Sequence, residues 1–101
     1  MRERRVVVTG LGALTPIGND VPTFWESLVN GVSGARPITH FDTSKFKTQF
    51  ACEVKNFNPQ EHFDRKEVRK HDLFSIYAIV AARQAVKDAN IDTEAEDLNK
   101  I

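Results

Sequence analysis

The fold of this chain is decided by residues 4–18, which read RRVVVTGLGALTPIG. Val6–Val8 are β-branched and suit an extended, pleated backbone. Because this run is apolar without alternation, it predicts a strand that is covered on both faces by helices. Gly10, Gly12 and Gly18 follow at once, so the strand is expected to give way to an irregular connection.

Length and composition indicate one small globular unit. The chain has 101 residues, of which 41% are hydrophobic and 28% charged, as in globular rather than disordered proteins. Lys and Arg number 14, as do Asp and Glu, so no overall field favours a nucleic acid or a membrane as partner. The single cysteine, Cys52, excludes an internal disulfide framework and indicates a reducing compartment. No run approaches the ~20 apolar residues of a membrane span, and no secretory signal is present, which predicts a cytoplasmic protein.

Two segments have the apolar spacing of helices. The first covers about ten residues between a cap at Asn19 or Asp20 and a stop at Gly31, and one face is expected to pack in the core. That face consists of Val21, Trp25, Leu28 and Val29. The second runs from a cap at Asp72 to a left-handed closing residue at Asn90, and its centre is apolar nearly all round. This pattern predicts burial on several sides.

A half-buried strand is predicted at residues 50–55, where Phe, Cys and Val alternate with Ala, Glu and Lys. In that alternation Cys52 points inward and behaves as a small hydrophobic residue. A nucleophilic cysteine needs a helix N-terminus or a cation to stabilise its thiolate. No helix is predicted to begin near Cys52, so it is not expected to be catalytic. Residues 32–49 are interpreted as loop, with His40 a hydrogen-bonded loop residue rather than a metal ligand.

Residues 64–70, which read DRKEVRK, predict a short helix that holds the one local charge patch. Asp64 and Glu67 have the spacing of a capping box. The basic residues recur at i, i+1, i+4 and i+5 and therefore project from nearly one side; they are Arg65, Lys66, Arg69 and Lys70. Spacing alone leaves two interpretations open, a solvated face and a docking surface for an acidic partner. The preceding residues 56–63 are interpreted as a turn that leads into a single helical turn.

No cofactor or metal site is predicted. Gly10-x-Gly12 after a strand invites the dinucleotide-binding fingerprint, but Thr15 stands where that fingerprint has its third glycine. A Walker loop, a serine triad, paired carboxylates and a cysteine-rich metal site are not found in the sequence. One buried strand, one edge-like strand and two helices are too few to cover their own apolar faces. We therefore expect an N-terminal fragment of a larger protein, or a chain that folds against another.

Several segments in order resemble the start of the β-ketoacyl-acyl-carrier-protein synthases, the KAS II type in particular. The matching segments are residues 4–12, 15–19, 24–25, 31–34, 40–44, 50–51, 64–70 and 85–89. The resemblance implies an α/β chain: residues 1–101 form the N-terminal portion of the synthase N-terminal domain, an incomplete part of a thiolase-like fold layered α-β-α-β-α. It also implies decarboxylative Claisen condensation of acyl- and malonyl-acyl carrier protein in fatty-acid elongation, usually by a homodimer.

The resemblance implies no catalytic residue within this chain. In the family a cysteine and two histidines perform the reaction, and they lie well downstream of residue 101. Cys52, His40, His62 and His71 do not match them. The chain alone is therefore predicted to be inactive, and Lys100-Ile101 is expected to open the next strand.

The resemblance favours the docking interpretation of the charge patch. In the family the matching basic segment receives the acidic acyl carrier protein, which implies that Arg65, Lys66, Arg69 and Lys70 bind it here. The alternative is a stand-alone, non-catalytic module that binds an acidic partner through the same patch. A nucleotide-binding domain, as a third possibility, would need glycine in place of Thr15.

Overall fold

The computed structural model describes residues 3–92 and 94, so the prediction for Lys100-Ile101 lies outside the described residues. The elements in chain order are α1 (Val21–Val29), β1 (Ala35–Pro37), β2 (Phe50–Cys52), a 3-10 turn (Pro59–Glu61), α2 (Arg65–Lys70) and α3 (Leu73–Asp88). β1 and β2 pair antiparallel, with Ala35 opposite Cys52 and Pro37 opposite Phe50. The chain therefore mixes helices with a small sheet. β1 lies inside residues 32–49, for which the sequence predicts only loop.

The strand predicted at Val6–Val8 is not formed. Residues 3–14 have no strand assignment, and the three valines are 91%, 62% and 79% exposed. A strand is held by hydrogen bonds to a neighbouring strand. Within the described part of the chain, β1 and β2 pair only with each other. Val6–Val8 thus have the composition of a buried strand, but the described residues supply no strand that pairs with them.

The glycine-rich segment packs backbone to backbone against α3. A Cβ added to Gly10 would overlap the carbonyl oxygen of Ala85, and one added to Gly12 would overlap that of Ala81. Only glycine permits so close an approach. Packing on the helix therefore accounts for both glycines without a bound phosphate.

Two polar side chains of α3 hold this segment in place. Asp88 accepts a hydrogen bond from the backbone N–H of Leu11 through Oδ2 at 2.9 Å. Gln84 accepts one from the N–H of Ala13 through Oε1 at 3.0 Å, and its Nε2 donates to the carbonyl oxygen of Asn19 at 2.8 Å. Backbone groups that no strand satisfies are thus satisfied by the helix.

α1 has the predicted boundaries. Asp20 is its N-cap, and Oδ1 accepts the N–H of Thr23 at 2.8 Å. Hydrogen bonds from the hydroxyl and the backbone N–H of Thr23 lower the pKa of the Asp20 carboxyl. Gly31 follows the helix with a φ of 67°, the left-handed conformation that favours glycine at a helix end.

Two predictions of burial are wrong. On α1 the expected core face is open, with Trp25 and Val29 exposed to 62% and 66%. On β2 it is Ala51 that is half-buried, whereas Phe50 and Cys52 face solvent. Alternation fixes only that neighbouring side chains point to opposite faces, and the packing of the hairpin decides which face is covered.

α3 contains what core the described residues have, namely Ile76 and Val80, which are 1% and 3% exposed. The predicted burial on several sides is therefore only partly realised. Asp72 precedes the helix without a side-chain capping bond, and Asn90 closes it with a φ of 56°, as predicted. The radius of gyration is 17.6 Å, against about 13 Å for a compact domain of this length. No helix among residues 3–92 has the length and apolarity needed to cross a membrane.

Candidate functional site

α2 displays four cations on the surface of the chain. It begins after the N-cap Asp64, whose Oδ1 accepts the N–H of Glu67 at 2.8 Å. Glu67 and Val68 are half-buried, while the four basic residues are exposed as the spacing predicts. We call this surface the basic face; it consists of Arg65, Lys66, Arg69 and Lys70.

Aromatic contacts fix the segment that leads into α2. Phe57 stacks on His62 with ring centroids 5.3 Å apart and meets Tyr77 of α3 edge-on at 5.5 Å. The guanidinium carbon of Arg83 lies 4.6 Å from the ring centroid of Phe63. Nη1 of Arg83 donates to the carbonyl oxygen of His62 at 3.1 Å. These contacts anchor residues 57–63 on α3 and thereby orient the helix that follows. Arg83 therefore binds groups of this chain and is not part of the cation cluster on α2.

Most of the basic face is free of internal ion pairs. Glu67 Oε1 lies 3.9 Å from Lys70 Nζ, and Arg65, Lys66 and Arg69 form no ion pair with any described residue. An exposed pair such as Glu67–Lys70 contributes only about 0–1 kcal/mol. The positive charge of α2 therefore remains available to a partner outside the chain.

The cysteine and the histidines are not assembled into a catalytic group. Cys52 is exposed on β2. His40 and His71 each contact a glutamate of their own, at 3.5 and 3.4 Å, and His62 stacks on an aromatic ring. Across residues 3–92, no three His, Cys, Asp or Glu side chains are placed to hold a metal ion.

A further polar arrangement was not predicted from the sequence. Lys55 Nζ donates to three carbonyl oxygens, those of Pro16 at 3.1 Å, Gly34 at 2.6 Å and Glu53 at 2.9 Å. It borders a cavity of about 320 Å³. An ammonium group has three N–H donors, so Lys55 has none left for a ligand in that cavity. It joins three loops, and a lysine in an alternating strand pattern gives no sequence signal of this role.

Comparison with known sequences matches nearly the whole chain to one protein family. The family model described as "Beta-ketoacyl synthase, N-terminal domain" matches residues 3–101. The chain is 51% identical over 100 residues to the 3-oxoacyl-[acyl-carrier-protein] synthase 2 of Staphylococcus aureus (strain COL). The aligned segment covers 99% of this chain and 24% of that protein. It therefore spans about a quarter of the length of this curated relative.

Two solved structures have a similar fold. The ishigamide ketosynthase/chain length factor superposes with a TM-score of 0.83 at 41% identity, over 92% of this chain and 23% of that one. The second is AntDE:AntF, a type II PKS acyl-carrier protein in complex with its ketosynthase bound to the hexaketide. Its TM-score is 0.68 at 30% identity, over 90% of this chain and 23% of that one.

Proposed function

Because this chain belongs to the family of β-ketoacyl synthase N-terminal domains, we propose that it is the N-terminal part of a longer β-ketoacyl-acyl-carrier-protein synthase. The full-length enzyme extends acyl chains in fatty-acid synthesis. Malonyl-acyl carrier protein loses CO₂, and the resulting carbanion attacks the carbonyl carbon of the acyl thioester. A carbon–carbon bond forms as the carbon–sulfur bond breaks and the thiolate leaves. The catalytic residues lie outside residues 1–101, so this segment contributes structure and docking and is inactive alone.

The exposed apolar surface supports the assignment to a longer protein. Val6–Val8 have the sequence of a strand covered on both faces, yet they are largely exposed. Exposed apolar surface of this extent is unusual for a self-contained domain. The chain also covers only 24% of its Staphylococcus aureus relative. In our proposal the remainder of the synthase supplies the neighbouring strands and the covering helices of a layered thiolase-like fold.

The basic face is the observation that carries the docking function. Four exposed cations lie on one short helix of a chain in which Lys and Arg together equal Asp and Glu. Complementary charge of this kind speeds encounter with an acidic partner and fixes its orientation. The similar ketosynthase of the AntDE:AntF complex binds an acyl-carrier protein. We assign the binding of acyl carrier protein to Arg65, Lys66, Arg69 and Lys70.

The docking role is tested in the full-length protein with the double substitution Arg69→Glu and Lys70→Glu. We expect the Kd for acyl carrier protein to rise by about tenfold or more at low salt, since two attractions become repulsions. Condensation from carrier-bound substrates should fall accordingly. Condensation from short thioesters that lack a carrier should change little, because they do not use the basic face.

The matched control places the same charge change elsewhere, as Lys45→Glu with Lys47→Glu in the exposed loop between β1 and β2. It should leave the Kd within about twofold of wild type, because only screened long-range charge is altered. An unchanged Kd in the Arg69/Lys70 variant at low salt contradicts the docking role. Equal losses in the two variants contradict it as well.

The intact mass of the natural polypeptide separates a synthase from a stand-alone binding module. A mass several times 11.4 kDa, together with condensing activity, supports the synthase. A stably folded natural chain of 11.4 kDa supports the binding module instead. We further propose that the full-length enzyme is a cytoplasmic homodimer, which light scattering and cell fractionation test directly.

A further inference from the structure

We propose that Glu67 is a counter-charge beside the basic face, next to Lys70, that limits the affinity of acidic partners and selects among them. Its Oε1 lies 3.9 Å from Lys70 Nζ, and its Oε2 lies 3.4 Å from His71 Nε2. The inference rests on the docking function proposed above and adds to it a residue that sets specificity.

The Glu67 carboxylate lies at the protein surface and does not take part in the helix cap. Asp64 satisfies the N–H of Glu67 at 2.8 Å, which is one half of a capping box. In the other half the glutamate would return to the N–H of Asp64, but here its carboxylate points toward Lys70 and His71. The Glu67 side chain is 44% exposed, so its negative charge reaches the surface beside Lys70.

A partner that binds Lys70 must therefore compete with a group already present. A carboxylate approaching Lys70 Nζ displaces Glu67 and then lies beside a second negative charge. Like charges brought together at an interface oppose binding and suppress unsuitable partners. The partner that fits best has acidic groups opposite Arg65, Lys66 and Arg69 and an uncharged hydrogen-bonding group opposite Glu67.

The test is Glu67→Gln in the full-length protein, which removes the charge and keeps the size of the side chain. We expect the Kd for acyl carrier protein to fall by about two- to fivefold at low salt, the range of an exposed ion pair. The gain should appear mainly in the association rate, because an exposed charge acts chiefly on encounter. It should shrink at about 0.15 M salt and above, where exposed charges are screened.

Two further variants sharpen the test. Glu26→Gln makes the same change of charge at an exposed position of α1 and should leave the Kd unchanged. Glu67→Ala removes the carboxylate by shortening the side chain, and it should tighten binding as Glu67→Gln does. Thermal unfolding of each variant establishes that binding is compared between folded proteins.

The outcomes separate this inference from the docking function itself. If Arg69→Glu with Lys70→Glu weakens binding while Glu67→Gln leaves it unchanged or weakens it, the counter-charge is disproved and the docking role stands. If neither change alters the Kd, both proposals are overturned. Tighter binding by Glu67→Gln and Glu67→Ala, without an effect of Glu26→Gln, supports the counter-charge.

Discussion

Gly12 lies so close to Ala81 of α3 that a Cβ at Gly12 would overlap the carbonyl oxygen of Ala81. Gly10 has the same relationship with Ala85, one helical turn further along. The small side chains of α3 thus face the backbone of the glycine-rich segment, and the two approach closely along its length. Gly10 and Gly12 resemble part of a nucleotide-binding fingerprint, but here they allow the segment to pack closely on α3.

Replacing Gly12 by alanine tests this packing. The added methyl group must displace the segment from α3, so we expect the free energy of unfolding of the full-length protein to fall by about 1–3 kcal/mol. Urea unfolding measures the change. Gly31→Asn is the control, because Gly31 has open space around it and asparagine tolerates its left-handed backbone. A Gly12→Ala variant as stable as the wild type contradicts the close approach.

Replacing Gln84 by methionine removes the two hydrogen bonds that fix the segment at Ala13 and Asn19. The loss of each bond leaves a partly buried backbone group without its partner, so we expect the free energy of unfolding to fall by about 1–3 kcal/mol. Differential scanning calorimetry of the full-length protein detects the lowered Tm. Gln60→Met, at an exposed position, supplies the comparison and should shift the Tm far less.

Replacing Lys55 by methionine keeps a long, unbranched side chain and removes its three donors to backbone carbonyls. Hydrogen bonds from a charged donor are strong, and we expect stability to fall by about 1.5–3 kcal/mol. Lys55→Arg should not restore it, because a planar guanidinium aims its N–H groups differently from an ammonium. Lys47→Met, at an exposed site, should be close to neutral in the same denaturation assay. Full stability of Lys55→Arg would show that charge alone matters.

Glu53 predicts a pH dependence of stability. Its carboxylate accepts hydrogen bonds from the N–H and hydroxyl of Thr39 at 3.0 and 3.1 Å and from the N–H of His40 at 3.3 Å. These bonds, that from the N–H of Thr39 foremost, lower the pKa of Glu53 below its usual value of 4.5. A lowered pKa stabilises the fold above that value, and the stabilisation is lost as the pH falls through the folded-state pKa.

We therefore expect the stability difference between wild type and Glu53→Gln to be constant near neutral pH and to narrow below pH 4.5. Denaturant midpoints measured across this range give the difference. Thr39→Val should retain most of the pH dependence, because the backbone N–H that chiefly lowers the pKa remains. A difference that does not change with pH would show that the carboxylate is not stabilised by this loop.

Local features of this chain can be predicted from its sequence. The sequence predicts a cap at Asn19 or Asp20, another at Asp64 and a left-handed closing residue at Asn90, because each depends on neighbours within one helical turn. The basic face followed from the same periodicity, since residues four apart on a helix share a side wherever that helix lies.

Which surfaces are covered and which distant groups meet depend on tertiary packing. The exposure of Val6–Val8 and of Cys52 could not be predicted, because burial depends on elements far away in the sequence. Gln84 and Lys55 bind backbone groups up to 71 and 39 residues away, and no spacing pattern encodes such contacts. Local hydrogen bonds are set by adjacent residues, whereas strand pairing and burial require partners that the chain must bring together.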